Sequence, residues 1–87
     1  MNTTMELFEK ALTVKNQSAW ARDYNVTPET FSMAKKTGRL SPIIAGNIAI
    51  DLGEDPEHWM AVAALEAAGN QTLVARLKTR ANSWRRL

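Results

Sequence analysis

The sequence predicts an all-α protein of five to six helices. Helix start signals recur along the 87 residues, and the apolar residues that follow each signal have helical spacing. No segment alternates apolar and polar residues for long enough to predict a strand. At this length we expect a single domain over residues 1–87, with a core at 4–68 and a basic C-terminal helix at 69–87.

The first helix is predicted to begin at Thr3 and to end at Lys15-Asn16. Thr3 and Glu6 have the spacing of a capping box, in which each side chain bonds the backbone N–H of the other residue. Apolar residues at helical spacing then predict a buried stripe, formed by Met5, Phe8 and Leu12.

The second and third helices are predicted to form a close pair. The second covers residues 17–24, and Asn25 follows it because asparagine tolerates a left-handed turn. Thr27-Pro28 starts the third as N-cap and first helical residue, and Gly38 stops it. Six positions fit the small and large residues that two crossing helices need: Trp20, Ala21, Tyr24, Val26, Phe31 and Ala34.

The same signals predict three further helices. They open at Ser41-Pro42, Asp55-Pro56 and Asn70, and Gly53 and Gly69 end the fourth and the fifth. Ile44, Ile48 and Leu52 give the fourth helix its predicted buried stripe.

Charge is divided unevenly along the chain. Residues 1–45 carry six basic and four acidic side chains, residues 46–70 carry five acidic and no basic ones, and residues 71–87 carry five basic and no acidic ones. The formal net charge of +2 conceals this order. The pattern indicates that one surface meets a polyanion, and solvated helix faces are the alternative interpretation.

The third helix has a polar face that suits the edges of base pairs. Glu29 can accept a hydrogen bond from a cytosine amino group, Ser32 can pair with several base edges, and Met33 can contact a thymine methyl group. The predicted base-reading residues are Thr27, Pro28, Glu29, Ser32, Met33 and Lys36. The predicted phosphate contacts are Gln17, Ser18, Arg22, Lys35, Arg39 and Ser41, and Lys36 is predicted to contact phosphate as well as bases. An ordinary solvated helix face is the alternative.

A set of residue types at fixed spacing supports the same interpretation. The set consists of Gln17, Trp20-Ala21, Asn25-Val26-Thr27 and Phe31-Ser32. In these positions the chain resembles the Cro/cI-type (lambda-repressor-like, XRE) helix-turn-helix family, and the similarity covers about residues 4–68. The resemblance implies a five-helix domain, operator binding as a dimer, and phosphate contact by Gln17.

The fifth predicted helix is apolar on nearly every side, which predicts burial on more than one side. One side is expected to pack inside the domain. The other is a predicted subunit interface, because a helix-turn-helix monomer reads few base pairs. The alternative is that the sixth helix covers it. The predicted interface residues are Trp59, Val62, Ala63, Leu65, Leu73 and Leu77.

Together these patterns predict a transcriptional regulator that binds double-stranded DNA sequence-specifically as a homodimer, such as a phage or prophage repressor or a Cro-like protein. The alternative is a protein-interaction module on the same fold, of the anti-repressor or antitoxin kind. Pro28 and Glu29 on the reading helix favour that alternative, because an acidic side chain opposes phosphate and proline removes a reading side chain.

Other classes of function are not indicated. No paired carboxylates, nucleophile with a base, or glycine-rich phosphate loop points to an enzyme, a cofactor or a small-molecule substrate. The absence of cysteine and a single histidine make a metal site unexpected. Without an apolar run of about 20 residues or a signal-peptide pattern, we expect no membrane association and a cytoplasmic protein.

Overall fold

The computed structural model describes residues 3–68, 75–77 and 79–80. Within these ranges the chain is helical and has no strand, which confirms the predicted fold class at the level of an all-α protein. No helix in the described part is long and apolar enough to cross a membrane. The helices are α1 (Thr4–Val14), α2 (Gln17–Asp23), α3 (Pro28–Thr37), α4 (Pro42–Asp51) and α5 (Pro56–Ala68).

The predicted C-terminal helix is described only in part. Residues 75–77 and 79–80 are helical and exposed. Its predicted N-cap at Asn70 and its predicted interface residue Leu73 lie outside the described residues.

The start of α1 is capped by a residue from the far end of the described core. Thr3 is the N-cap, but its side chain makes no capping bond, so this half of the predicted capping box is absent. Instead the Glu66 carboxylate accepts from the Thr4 backbone N–H at 3.0 Å and from the Thr4 hydroxyl at 2.6 Å. The Thr4 hydroxyl in turn accepts from the Leu40 N–H at 2.8 Å. These bonds join α1, α5 and the loop before α4.

The turn between α2 and α3 has the predicted left-handed residue. Asn25 adopts φ = 55°, and the Val26 N–H donates to the Ala21 carbonyl at 3.0 Å. Asn16 begins α2 as its N-cap, since its side chain accepts from the Ala19 N–H at 2.9 Å. Gly38 ends α3 with φ = 79°, as predicted.

The core joins the buried sides of all five helices. Phe8 of α1 and Phe31 of α3 stack with ring centroids 5.5 Å apart. The Trp20 indole N–H donates to the Ala11 carbonyl at 3.0 Å and so links α2 to α1. The six positions predicted for the α2–α3 crossing all contribute: Trp20, Ala21, Phe31 and Ala34 are buried, and Tyr24 and Val26 pack against them half-buried.

The apolar helix α5 lies inside this core. Trp59, Val62, Ala63 and Leu65 are each at most 8% exposed, so they are not available to another subunit. The structure therefore corrects the predicted subunit contact at these four positions. The physical reason is that α5 packs mainly against α4 and also contacts α1, which cover the side of α5 that carries these four residues, whereas Met60 and Ala64 stay exposed on its other side. Leu77, the remaining described member of that set, is 58% exposed.

Candidate nucleic-acid interface

Helix α3 is buried on one side only. Phe31 and Ala34 hold it to the core, and the opposite side is open to solvent, with Met33 54% exposed. All six residues predicted to read bases are exposed: Thr27, Pro28, Glu29, Ser32, Met33 and Lys36. The helix therefore presents a continuous exposed face opposite its buried residues.

Gln17 fixes the position of α3 relative to α2. Its side-chain amide donates to the Pro28 carbonyl and to the Ser32 hydroxyl, both at 3.1 Å. Sequence reasoning assigned Gln17 to phosphate, and it did not foresee this link. The bond to Ser32 also orients a hydroxyl on the outer face of α3. The Ser32 oxygen accepts from Gln17, so the hydroxyl proton is available to donate to another group.

The other predicted phosphate contacts are all exposed: Ser18, Arg22, Lys35, Arg39 and Ser41. The side chain of Arg22 is 79% exposed, with its Nε 3.9 Å from the Asp23 carboxylate. The Lys35 ammonium lies 5.8 Å from the centroid of the Phe8 ring, so its stem runs beside the core while its charge stays outside. Ser41 has a structural role too, since its hydroxyl accepts from the Ile44 N–H at 3.4 Å and caps α4.

A groove between α3 and the start of α4 brings several of these residues together. Met33, predicted to contact bases, shares its lining with Arg39 and Ser41, predicted to contact phosphate. None of the described residues that line it is acidic. The groove thus combines an apolar side chain, a cation and a hydroxyl on one side of the molecule.

Acidic side chains near α2 and α4 are engaged by neighbours. Lys15 pairs with Asp23, and its hydrogen bond holds the pKa of that carboxyl below the usual value. The Tyr24 hydroxyl donates to Asp51 at 2.5 Å, and burial together with this bond raises the pKa of the phenol. The Lys15–Asp23 ion pair reduces the repulsion that a polyanion would meet beside α2, whereas Asp51 keeps its negative charge.

One exposed surface was missed by the sequence analysis. Ile43 and Ile50 on α4 are 72% and 61% exposed, whereas the predicted stripe consisted of Ile44, Ile48 and Leu52. The sequence carries a signal for this surface, because Asn47 is the only polar residue of α4 before Asp51 and a helix with so few polar residues is apolar on nearly every side.

No family model, curated protein or solved structure matches this chain. The resemblance to the Cro/cI-type family therefore stays a prediction. Among the described residues, no group of three or more histidine, cysteine, aspartate or glutamate side chains could hold a metal ion.

Proposed function

We propose that this protein is a transcriptional regulator of the phage or prophage repressor or Cro-like kind. It binds double-stranded DNA sequence-specifically as a homodimer, with α3 in the major groove. The observation that carries the proposal is the open outer face of α3 above its buried residues Phe31 and Ala34. A major groove about 12 Å wide admits one α-helix, provided that one face of the helix is free.

The chemistry of that face supports base reading. Glu29 accepts from a cytosine amino group, and Met33 contacts a thymine methyl group. Ser32, whose oxygen accepts from Gln17, has its hydroxyl proton left to offer to a base acceptor such as guanine O6 or N7. The side chains differ in what they accept, donate or exclude, so together they discriminate between base pairs.

Cations follow at the C-terminal end of the reading helix. Lys35, Lys36 and Arg39 are exposed within five residues of chain, and Arg22 is exposed on the neighbouring helix. Each cation that neutralises a phosphate releases counterions, so affinity falls with rising salt. Phosphate contacts of this kind set the position of α3, and the base contacts supply specificity.

The direct test is selection of bound duplexes from a random double-stranded library with the full chain. We expect enrichment of roughly palindromic sequences whose half-sites lie about one helical turn (~34 Å) apart. The affinity for the selected duplex, measured by fluorescence anisotropy, should fall steeply with salt concentration. Absence of binding to any duplex at low salt would overturn the proposal.

Matched variants separate reading from general electrostatics. Lys36→Ala should lower the slope of log affinity against log salt by about 1, because one phosphate contact is lost. Lys10→Ala removes the same charge from α1, where Lys10 pairs with Glu54, and should leave the slope unchanged. Met33→Ala should reduce discrimination at a thymine position without altering the slope. Equal slope changes for Lys36→Ala and Lys10→Ala would contradict the assigned orientation.

The exposed carboxylate of Glu29 favours a second candidate function, a protein-interaction module of the anti-repressor or antitoxin kind. An acid on the reading face lowers affinity for any duplex unless a cytosine matches it. Under DNA reading, Glu29→Lys should shift the selected sequence at one position and raise affinity for unrelated duplexes. Under the interaction-module alternative, the wild-type chain selects no duplex.

A further inference from the structure

Helix α4 has an exposed apolar face. Ile43 and Ile50 are seven residues apart, about two helical turns, so they lie on the same side of the helix. Asn47 is exposed between them, and its amide donates to the Ile43 carbonyl at 2.8 Å. This face carries two branched apolar side chains, each more than 60% exposed, on a short helix. Covering such a surface is favourable, because it removes apolar area from water.

This face continues onto the turn between α2 and α3. A groove beside it is lined by Asp23, Tyr24 and Val26 at the α2–α3 turn together with Ile43, Ile44 and Asn47 of α4. The apolar surface is therefore contiguous with the elements that position α3. Whatever covers α4 also fixes the place of α3 relative to the covering molecule.

The two ends of the α4 face carry opposite charge. Arg39 is exposed just before the N-terminal end, which is also the positive end of the helix dipole. Asp51 is exposed at the C-terminal end, and Asp55 is exposed beyond it. A helix with one basic end and one acidic end is complementary to an antiparallel copy of itself.

We propose that the α4 face is the homodimer interface, with a second copy of this chain as its occupant. The two α4 helices pack antiparallel about a two-fold axis near Asn47, so that Ile43 of one copy meets Ile50 of the other. The same axis brings the basic end of each helix beside the acidic end of its mate. A self-complementary patch is what an isologous interface requires. The inference rests on the proposed function, which needs two reading helices.

Asn47 has a defined place in this arrangement. Each Asn47 lies within a residue of the symmetry centre between positions 43 and 50, so the two amides meet near the axis. A polar residue inside an apolar helix–helix contact fixes register at some cost in stability. The pairing is therefore specific to antiparallel α4 helices and does not suit an arbitrary apolar partner.

Sedimentation equilibrium of the full chain tests the assignment. We expect a dimer, and Ile43→Asp or Ile50→Asp should raise its dissociation constant about 100-fold, because each places an unpaired charge in the apolar contact on either side of Asn47. Val14→Asp is the matched control, since Val14 is 64% exposed on α1 and should have no effect. A chain that stays monomeric at every concentration, or equal weakening by the control, would overturn the proposal. Circular dichroism confirms that each variant is folded.

Two further variants test the orientation. The chain has no cysteine, so Asn47→Cys introduces a single thiol, which should form a disulfide between copies on mild oxidation. Val14→Cys should not. Asp51→Arg should weaken the dimer, and adding Arg39→Asp should restore it, because the charge pattern is then reversed at both ends. Tyr24→Phe, which removes the Tyr24–Asp51 hydrogen bond but keeps the Asp51 charge, should leave the dimer unchanged. A dimer that Asn47→Cys does not link, or that the double variant does not restore, contradicts antiparallel α4 pairing.

The outcomes separate this inference from the proposed function. A dimer sensitive to Ile43→Asp that selects no duplex leaves the α4 interface standing and removes the DNA-binding proposal. A chain that binds one half-site while remaining a monomer in solution and on the duplex removes the α4 interface and leaves DNA reading intact.

Discussion

At the scale of single residues, Thr4 shows how one buried hydroxyl can hold distant segments together. Its oxygen accepts from the Leu40 N–H and its proton goes to Glu66, so both hydrogen-bonding functions are used. The residue is completely buried. A buried backbone N–H without a partner costs about 1–3 kcal/mol, so the Leu40 amide depends on this one side chain.

Replacing Thr4 tests that dependence. Thr4→Val keeps the shape of the side chain but leaves the Leu40 N–H without its acceptor, and should lower the free energy of unfolding by about 1–3 kcal/mol. Thr4→Ser keeps the hydroxyl and loses one methyl group, which should lower the free energy of unfolding by about 1 kcal/mol. Urea denaturation should therefore give the Thr4→Val variant a lower free energy of unfolding than the Thr4→Ser variant, although valine is closer to threonine in volume. The reverse order would show that packing at this site matters more than the hydrogen bonds.

At the scale of elements, the contact between α4 and α5 depends on Gly46. A Cβ at this position would lie 2.7 Å from the Met60 Cγ and 3.0 Å from its sulfur, so the absence of a side chain lets Met60 lie across α4. Met60 is 42% exposed, which gives it room to move aside. The contact between Met60 and α4 therefore requires a glycine in a helix interior, which costs roughly 0.5–1 kcal/mol relative to alanine.

A double-mutant cycle should reveal this coupling. Gly46→Ala alone displaces Met60, which offsets the gain in helix propensity. In a Met60→Ala background the nearest remaining atom is the Pro56 carbonyl oxygen at 3.9 Å, so the same change should stabilise the protein by about 0.5–1 kcal/mol. Urea denaturation of the four proteins measures the difference. Identical effects of Gly46→Ala in both backgrounds would rule out the contact with Met60.

At the scale of the whole molecule, Glu54 links the acidic segment after α4 to two other elements. Partial burial tends to raise its pKa, but hydrogen bonds from Lys10 on α1 at 2.7 Å and from the Trp59 indole on α5 at 3.0 Å hold the pKa below its usual value. The folded state therefore binds this proton less readily than the unfolded chain. Its stabilising effect is present above the unfolded pKa and is lost as the pH falls through the folded one.

We expect this group to contribute to acid sensitivity. The wild type should be more stable than Glu54→Gln at pH 7, and the difference should shrink as the pH falls from about 5 to about 3. Lys10→Met removes the stronger donor and should reduce the same pH dependence. Thermal unfolding across this pH range provides the measurement. A gap between wild type and Glu54→Gln that does not change with pH would exclude the role of the carboxylate.

Local signals in the sequence determined most of the helix boundaries and the turn between α2 and α3. Thr27-Pro28, Ser41-Pro42, Asn25 and Gly38 act within one or two turns of chain, and their conformations are as predicted. The periodicity of Phe31 and Ala34 likewise assigned the buried side of α3. Capping, left-handed turns and amphipathic spacing are properties of neighbours in sequence, so they can be read without the fold.

Only the tertiary structure decided which apolar helix faces are covered. The sequences of α4 and α5 are both apolar on nearly every side, and the prediction placed the subunit contact on α5. The fold buries Trp59 and Val62 and leaves Ile43 and Ile50 in solvent. The caps from Glu66 to Thr4 and from Thr4 to Leu40 join residues 62 and 36 positions apart. Burial and bonds of this kind depend on how distant segments meet in space, and no local pattern specifies that.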